Sequence, residues 1–333
     1  MILIFSESKD VSAREVCHWL TRYAVPVIWI TEQTVLDVLN LRPIGSSLIA
    51  VDGKPIRLNE IQAVWFRRTI FRLQNLALKA PEGHFQTGLR HHLNEELKSI
   101  GDFVQRRLLA TVPVVLGKKK HAQINKLEIL HLAVQHGLKI PPTLLTTQKQ
   151  ALLDFYETHQ PLITKSTYHS IMATEEGATL MAYTEPVKAE DLSTLPTTFF
   201  PSLFQKQIEK WIEVRSFYVD SQFYSMAIFS QVDAQTAVDF RKYNEEKPNR
   251  VVPFQLPDDI TQKLHRLMVE LDMDTGSIDL LVTPSRTYYF LEVNPEGQFG
   301  MVSYPCNYYL EEKIAQYLVQ KSVSSPQLTP ILA

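Results

Sequence analysis

Residues 276–295 constrain the chain more than any other stretch. Apolar and aromatic side chains dominate 278–282 and 288–293 on either side of Pro284, Ser285 and Arg286, so the stretch reads as two strands joined by a tight turn. Asp279, Glu292 and Asn294 are the strongly polar side chains in those strands. Glu292 and Asn294 stand two apart, so an extended strand points them to one face. A turn centred on Pro284 and Ser285 puts Asp279 opposite Phe290. One centred on Ser285 and Arg286 puts it opposite Glu292, and on either all three polar groups share a face. A shift of one residue separates them. Two acids and an amide on one face form an oxygen-rich cluster of the kind that holds Mg²⁺, usually with substrate phosphates. The plainer reading is carboxylates that face solvent or pair with an arginine. Pro295 keeps Asn294 extended and ends the strand beside such a ligand edge.

The rest of the chain has to choose between these readings. Its 333 residues are enough for about two domains, or for one large enzyme with subdomains. Hydrophobic residues at 45% and charged residues at 21% match a globular protein with a real core. A net charge of -2 sets up no global basic field for nucleic acid or an anionic membrane, so a polyanion would have to be met locally. Cys17 and Cys306 are far apart and in no paired spacing, which suggests neither a disulfide framework nor a zinc site and fits a cytoplasmic protein. Residues 1–5 are apolar but stop at Ser6, too short for a signal segment. No run approaches the roughly 20 apolar residues of a membrane helix. Neither a membrane nor a nucleic-acid partner is expected.

Along the chain, a strand at 1–5, a helix at 11–23 and a strand at 25–30 make a βαβ opening. Its first connection has no glycine, and no dinucleotide or G-x-x-x-x-G-K-[ST] phosphate loop occurs anywhere. A small hairpin follows across Asp52 and Gly53, then a strand at 63–66 leading into Arg67 and Arg68. Adjacent arginines past a strand end suit an anionic substrate, although such pairs more often form surface salt bridges. A helix is expected at 89–110, a boundary at 117–121 and a helix from Asn125 to Gly137. Lys126 then sits in the first turn, where a cation opposes the helix dipole by roughly 0.3–1 kcal/mol unless an anion occupies the site. A strand ends at Lys165, followed by a polar, mobile-looking segment at 166–177. Further strands are expected at 199–208, 214–219 and 222–229, with helices at 258–271 and 308–319.

No G-x-S-x-G, H-E-x-x-H or C-x-x-C occurs, and the ten histidines show no ligand spacing. What remains is a set of separated cations, Lys126, Lys165, Arg215 and Arg241, upstream of the acid cluster. Cations with a carboxylate-held metal serve a nucleoside triphosphate, because phosphoryl transfer depends mainly on positioning and charge neutralisation.

The order Asn125-Lys126-Leu127, Lys165, Gln205-Lys206-Gln207-Ile208 running into Glu213-Val214-Arg215, Asp239-Phe240-Arg241, and Asp279 with Glu292-Val293-Asn294-Pro295 resembles an ATP-grasp ligase. The resemblance spans most of the chain. Within that superfamily, stretches 64–68, 125–141 and 224–231 resemble the peptide-modifying branch of graspetide (microviridin-type) ligases, and especially grasp-with-spasm system peptide maturases. It implies an α/β (α+β) fold with an N-terminal pre-ATP-grasp βαβ domain (1–116), a small central lid domain (117–203), a C-terminal catalytic antiparallel-sheet domain (204–321) and a flexible tail (322–333).

Carried over by position, the resemblance implies that Lys126 and Lys165 contact ATP phosphates and that Gln205, Lys206 and the backbone of Ile208 form the adenine hinge. Glu213 would hold the ribose, Arg215 and Arg241 would stabilise phosphate and an acyl phosphate, and Asp279, Glu292 and Asn294 would hold Mg²⁺, as two ions. Arg67 and Arg68 are candidates for the substrate. Segment 166–177 lacks the glycines of a typical lid loop, and Lys206 stands where related hinges often carry an acid. The implied reaction is ADP-forming: a side-chain carboxylate of a ribosomally made precursor peptide is phosphorylated, then attacked by a hydroxyl or amine of the same peptide to give an ester or amide crosslink. No protein nucleophile is needed. The implied partners are that precursor with its leader segment, a radical-SAM/SPASM enzyme of the same pathway, and a second copy in a homodimer. The alternatives are a ligase that adds an amino acid to a protein tail or small-molecule carboxylate, and a non-catalytic ATP-binding scaffold.

Overall fold

The structure, a computed structural model, describes residues 1–68, 73, 86–118, 125–168, 172–175, 178–181, 183–232, 239, 242, 244 and 246–320. Its contacts divide the chain into two units, Met1–Lys118 with the segment from Tyr309 onward, and Lys119–Tyr308.

The first unit opens with β1 (Ile2–Phe5), α1 (Val11–Arg22) and β2 (Val27–Ile30), the expected βαβ. There follow β3 (Leu36–Asn40), β4 (Leu48–Val51), β5 (Lys54–Arg57), β6 (Ala63–Phe66), α2 (Gln86–Thr111) and β7 (Val114–Leu116). Strands β2-β1-β6-β7 form a parallel sheet in that order, and β3-β4-β5 a small antiparallel one. Parallel strands are covered on both faces and so need unbroken apolar runs rather than alternation. Every residue of β1 and β6 is accordingly buried. Leu3, Phe5, Val64 and Phe66 pack with Val104 and Leu108 of α2. The chain leaves β7 through Gly117 at φ +78, where an added Cβ would lie 2.2 Å from the carbonyl oxygen of Phe66. Only glycine fits there.

The second unit contains α3 (Lys126–Gln135), β8 (Thr143–Gln148), α4 (Lys149–His159), β9 (Leu162–Lys165), β10 (Met172–Glu175), β11 (Ala178–Met181), β12 (Glu185–Pro186), α5 (Ala189–Thr194) and β13 (Thr198–Lys206). It continues through β14 (Ile212–Val219), β15 (Gln222–Phe229), β16 (Arg250–Phe254), α6 (Asp258–Glu270), β17 (Thr275–Val282), β18 (Tyr288–Asn294) and α7 (Gly300–Cys306). The chain then returns to the first unit with α8 (Leu310–Gln320), which packs on α1, β6 and β7. The resemblance places this helix at the end of the C-terminal catalytic domain.

Two antiparallel sheets organise the second unit. One has the order β12-β9-β13-β8 and covers a face with α4 and α5 through Leu152, Leu162, Leu192 and Phe204. The other, β16-β15-β14-β17-β18, lays Val214, Ile278, Leu280, Phe290 and Val293 against Leu130 and Ala133 of α3 and Leu264 and Leu267 of α6. Full burial of such side chains contributes roughly 1.5–3 kcal/mol each, so this face is fixed to the core, while on the opposite face Phe217 packs against Phe299. Part of the segment expected to be loop, 166–177, is instead strand β10, paired with β11 so that Glu175 lies opposite Ala178.

Candidate active site

The face of the five-stranded sheet turned away from α3 and α6 carries the polar residues in rows. Arg215 on β14 lies opposite Met226 of β15 on one side and Asp279 of β17 on the other, and Asp279 in turn lies opposite Glu292 of β18. One row therefore reads Met226, Arg215, Asp279, Glu292 across four strands. Toward one end, Phe217 pairs with Ser277 and Ser277 with Asn294; toward the other, Glu213 pairs with Leu281.

This row exists because of an irregularity that periodicity did not predict. The turn holds the near half of the hairpin at Val282 opposite Tyr288 and Leu280 opposite Phe290, a register centred on Ser285. Continued unbroken, that register would place Asp279 opposite Leu291 and push Glu292 and Asn294 to the core face. A β-bulge between Asp279 and Leu280 leaves Leu291 as the extra residue and restores Asp279 opposite Glu292. The burial of β18 records it: Phe290 at 0% and Val293 at 4% exposure are three apart, whereas a regular strand spaces its core residues by two. The expected grouping of Asp279, Glu292 and Asn294 is present, set by the bulge rather than by the turn alone.

Each group has a partner. The guanidinium of buried Arg215 stands 3.6 Å from the Asp279 carboxylate. Lys126, the first residue of α3, reaches Glu292 at 3.0 Å and donates to the carbonyl oxygen of Ser166 at 3.3 Å. Asn125 caps that helix, its side chain accepting from the amides of Leu127 and Glu128 at 2.9 and 3.3 Å. The Asn294 side-chain oxygen accepts from the Glu296 and Gly297 amides at 3.1 and 3.2 Å. Both of its lone pairs are thus engaged, and a metal at that oxygen would have to displace one bond. Among the described residues no three His, Cys, Asp or Glu side chains cluster as a metal site; the set here is two acids and an amide.

Glu213 is 8% exposed, and one of its oxygens accepts both from the Lys210 ammonium at 2.5 Å and from the Ser230 hydroxyl at 2.6 Å. Among the described residues nothing bonds its other oxygen. Lys210 and Ser230 were not singled out in the sequence; the signal for Lys210 was its place three residues before Glu213.

On β13, Gln205 lies opposite Ile163 and Leu203 opposite Lys165, so Gln205 and Lys165 share a face. Phe204 and Lys206 occupy the other, Phe204 against Leu152 of α4 and Lys206 opposite Leu162. The Lys206 side chain is therefore not brought together with Gln205; its amide donates to Pro142 at 2.9 Å. Gln205 is 1% exposed, its amide nitrogen donates to Thr143 at 2.8 Å, and its buried oxygen has no hydrogen-bond partner. Past the strand end, among the described residues, the backbone N–H and C=O of Ile208 make no backbone hydrogen bond.

Two expectations fall elsewhere. Arg67 and Arg68 are in the first unit, where both approach Asp10, at 3.4 and 3.3 Å, and Arg68 also binds Glu7 at 3.1 Å. Salt bridging is thus the state observed for this pair. Arg241 lies outside the described residues; nearby, Asp239 is buried and accepts from the Thr184 amide at 3.2 Å.

No protein-family model matches the chain, and no curated protein does. Solved structures do. A RiPP-associated ATP-grasp ligase of Chryseobacterium gregarium, in complex with ADP and a leader and core peptide, superposes with a TM-score of 0.77 at 23% identity over 99% of both chains. The macrocyclase MdnC of Microcystis aeruginosa MRC, bound with precursor peptide MdnA, gives 0.73 at 28% identity over 96% of this chain and 99% of that one. The ATP-grasp ligase PsnB, complexed with minimal precursor, Mg and ADP, gives 0.72 at 19% identity over 97% of both. The chain has the ATP-grasp fold that it shares with these structures.

Proposed function

We propose that this chain is an ADP-forming, ATP-dependent ligase that activates side-chain carboxylates of a ribosomally made precursor peptide and joins them to hydroxyl or amine groups of the same peptide. The observation that carries the reading is the row Arg215, Asp279, Glu292 with Lys126 closing on it, in a chain that matches MdnC over nearly its whole length. The residues also suit a nucleotide with Mg²⁺: the buried, unpartnered oxygen of Gln205 and the open backbone of Ile208 suit a purine edge, and the open Glu213 oxygen suits a ribose hydroxyl.

When bound, ATP with Mg²⁺ supplies the phosphoryl group that activates the carboxylate. The chain's own residues position and neutralise. Lys126 and Lys165 bind phosphate oxygens, which requires Lys126 to leave Glu292. Gln205, Ile208 and the Lys206 backbone hold the base and Glu213 the ribose. Asp279 and Glu292, with Asn294, hold two ions, and Arg215 and Arg241 offset the charge that builds up as carboxylate approaches phosphate. The domain division 1–116, 117–203 and 204–321, a homodimer, a radical-SAM/SPASM partner and a cytoplasmic location belong to the same proposal, as does any contact of Arg67 and Arg68 with the peptide.

The test is incubation of the protein with ATP, Mg²⁺ and a precursor encoded beside it, rich in Thr/Ser and Asp/Glu. Loss of one water per bond, with matching ADP release, is the expected result. Addition of an amino acid, or no ADP release, overturns it.

A further inference from the structure

The Gln205 amide is oriented by a chain of hydrogen bonds with a fixed polarity. Thr143 Oγ1 lies 2.7 Å from the carbonyl oxygen of Pro141, which can only accept, so the threonine hydroxyl must donate there. Its own oxygen is then left as an acceptor, and at 2.8 Å it takes a proton from Gln205 Nε2. Turning the amide over would set its oxygen against an oxygen with no proton to give. The ordinary ambiguity of a glutamine side chain is thereby removed, and Oε1 is held in the remaining direction. That oxygen is buried and has no hydrogen-bond partner, and the residue as a whole is 1% exposed. A buried amide oxygen without a donor is uncommon in folded proteins and marks a place where a ligand supplies one. Oε1 lies on the face of β13 that also carries Lys165, opposite the face covered by α4.

We propose that Thr143 is a positioning residue that sets the nucleobase selectivity of this protein: by fixing Gln205 Oε1 as an acceptor, it makes the site take a purine with a 6-amino donor and reject one with a 6-oxo group. The inference rests on the reading of this site as a nucleotide hinge. An amino group at the 6-position satisfies the orphaned oxygen. A carbonyl there puts two acceptors face to face with no water to separate them, and a bare C–H leaves the oxygen as it is.

The experiment is calorimetric binding, with Mg²⁺, of ADP, purine riboside diphosphate and inosine diphosphate to the full chain and to its T143S and T143A forms. For the unaltered protein the expected order is ADP, then the 6-H purine, then inosine diphosphate, with ADP ahead of inosine diphosphate by on the order of tenfold to a hundredfold, the range a mispaired buried hydrogen bond gives. T143S keeps the hydroxyl relay and should keep that ratio. T143A frees the amide to turn over and should bring the ratio to within about threefold of unity, a change a merely structural threonine would not make. Equal binding of ADP and inosine diphosphate by the unaltered protein overturns the inference without any variant, so it stays testable even if T143A fails to fold. An unchanged ratio in folded T143A overturns it as well. Absence of any ADP binding by the unaltered protein instead removes the nucleotide-hinge reading, and the inference with it.

Discussion

At the scale of single residues, the polar face of the five-stranded sheet is one in which charges are matched in pairs that differ in exposure. Lys126 and Glu292 keep 21% and 30% side-chain exposure, so their ion pair contributes at most about 1 kcal/mol to stability. Glu292→Gln should therefore leave the melting temperature nearly unchanged while lowering Mg²⁺-dependent turnover by at least about a hundredfold, the scale of a lost electrostatic contact at developing charge. Undiminished turnover measured by ADP release would remove Glu292 from the metal site. Lys210 differs, because it and Glu213 are both buried. Lys210→Met leaves a buried carboxylate without its counter-charge, and equilibrium unfolding should show a loss of about 3–5 kcal/mol. Burial pushes the Cys17 thiol up to about 12 and raises that of Cys306 as well. Since the thiolate is the nucleophile, both should stay largely unalkylated by iodoacetamide at about pH 8 in the folded protein and react fully once it is denatured, as intact-mass measurement would show.

At the scale of elements, the bulge at Leu291 decides which way the acids point. Deleting Leu291 removes the extra residue and leaves Leu280 opposite Phe290 and Asp279 opposite Glu292 in an unbroken ladder, so Mg²⁺–ADP binding should persist. Inserting one alanine after Leu291 instead lets the turn's register run on without a bulge and slides Glu292 to lie opposite Ser277, two positions from Asp279, so binding should be lost. Similar affinity in the two proteins, compared by calorimetry, would show that the pairing of Asp279 with Glu292 is not what makes the site. The join of β7 to the following chain makes a second demand. Gly117→Ala puts a methyl 2.2 Å from the Phe66 carbonyl oxygen at φ +78, and a loss of more than about 2 kcal/mol is expected from chemical denaturation.

At the scale of the whole molecule, every described residue proposed to hold nucleotide or metal belongs to the second unit, Lys119–Tyr308, while Arg67 and Arg68 belong to the first. Mg²⁺–ADP at a hundred times its dissociation constant should stabilise the protein by about 2.7 kcal/mol. Hydrogen exchange should then slow in α3, β13, β14, β17 and β18, and equal slowing in β1 and β6 would place the nucleotide elsewhere. Much of this arrangement was legible in the sequence. Apolar runs such as 2–5 and 63–66 announced strands, 3.6-residue periodicity announced α1, α2, α3 and α6, and the order of Lys126, Lys165, Gln205, Glu213, Arg215, Asp279 and Glu292 announced the fold, because local propensity and residue type are properties of the chain itself. Other features were decided only by tertiary structure. Whether Asp279 meets Glu292 depends on one unpaired residue in a ladder. That Lys206 turns from Gln205, that Arg67 and Arg68 close on Asp10, that Lys210 pins one oxygen of Glu213 and that Thr143 fixes the Gln205 amide are all matters of which side chains pairing and burial bring within hydrogen-bonding distance. Pairing between residues as far apart as Thr143 and Gln205 leaves no periodic trace in either segment, which is why sequence supplied the parts of this site and only the folded chain supplied their orientation.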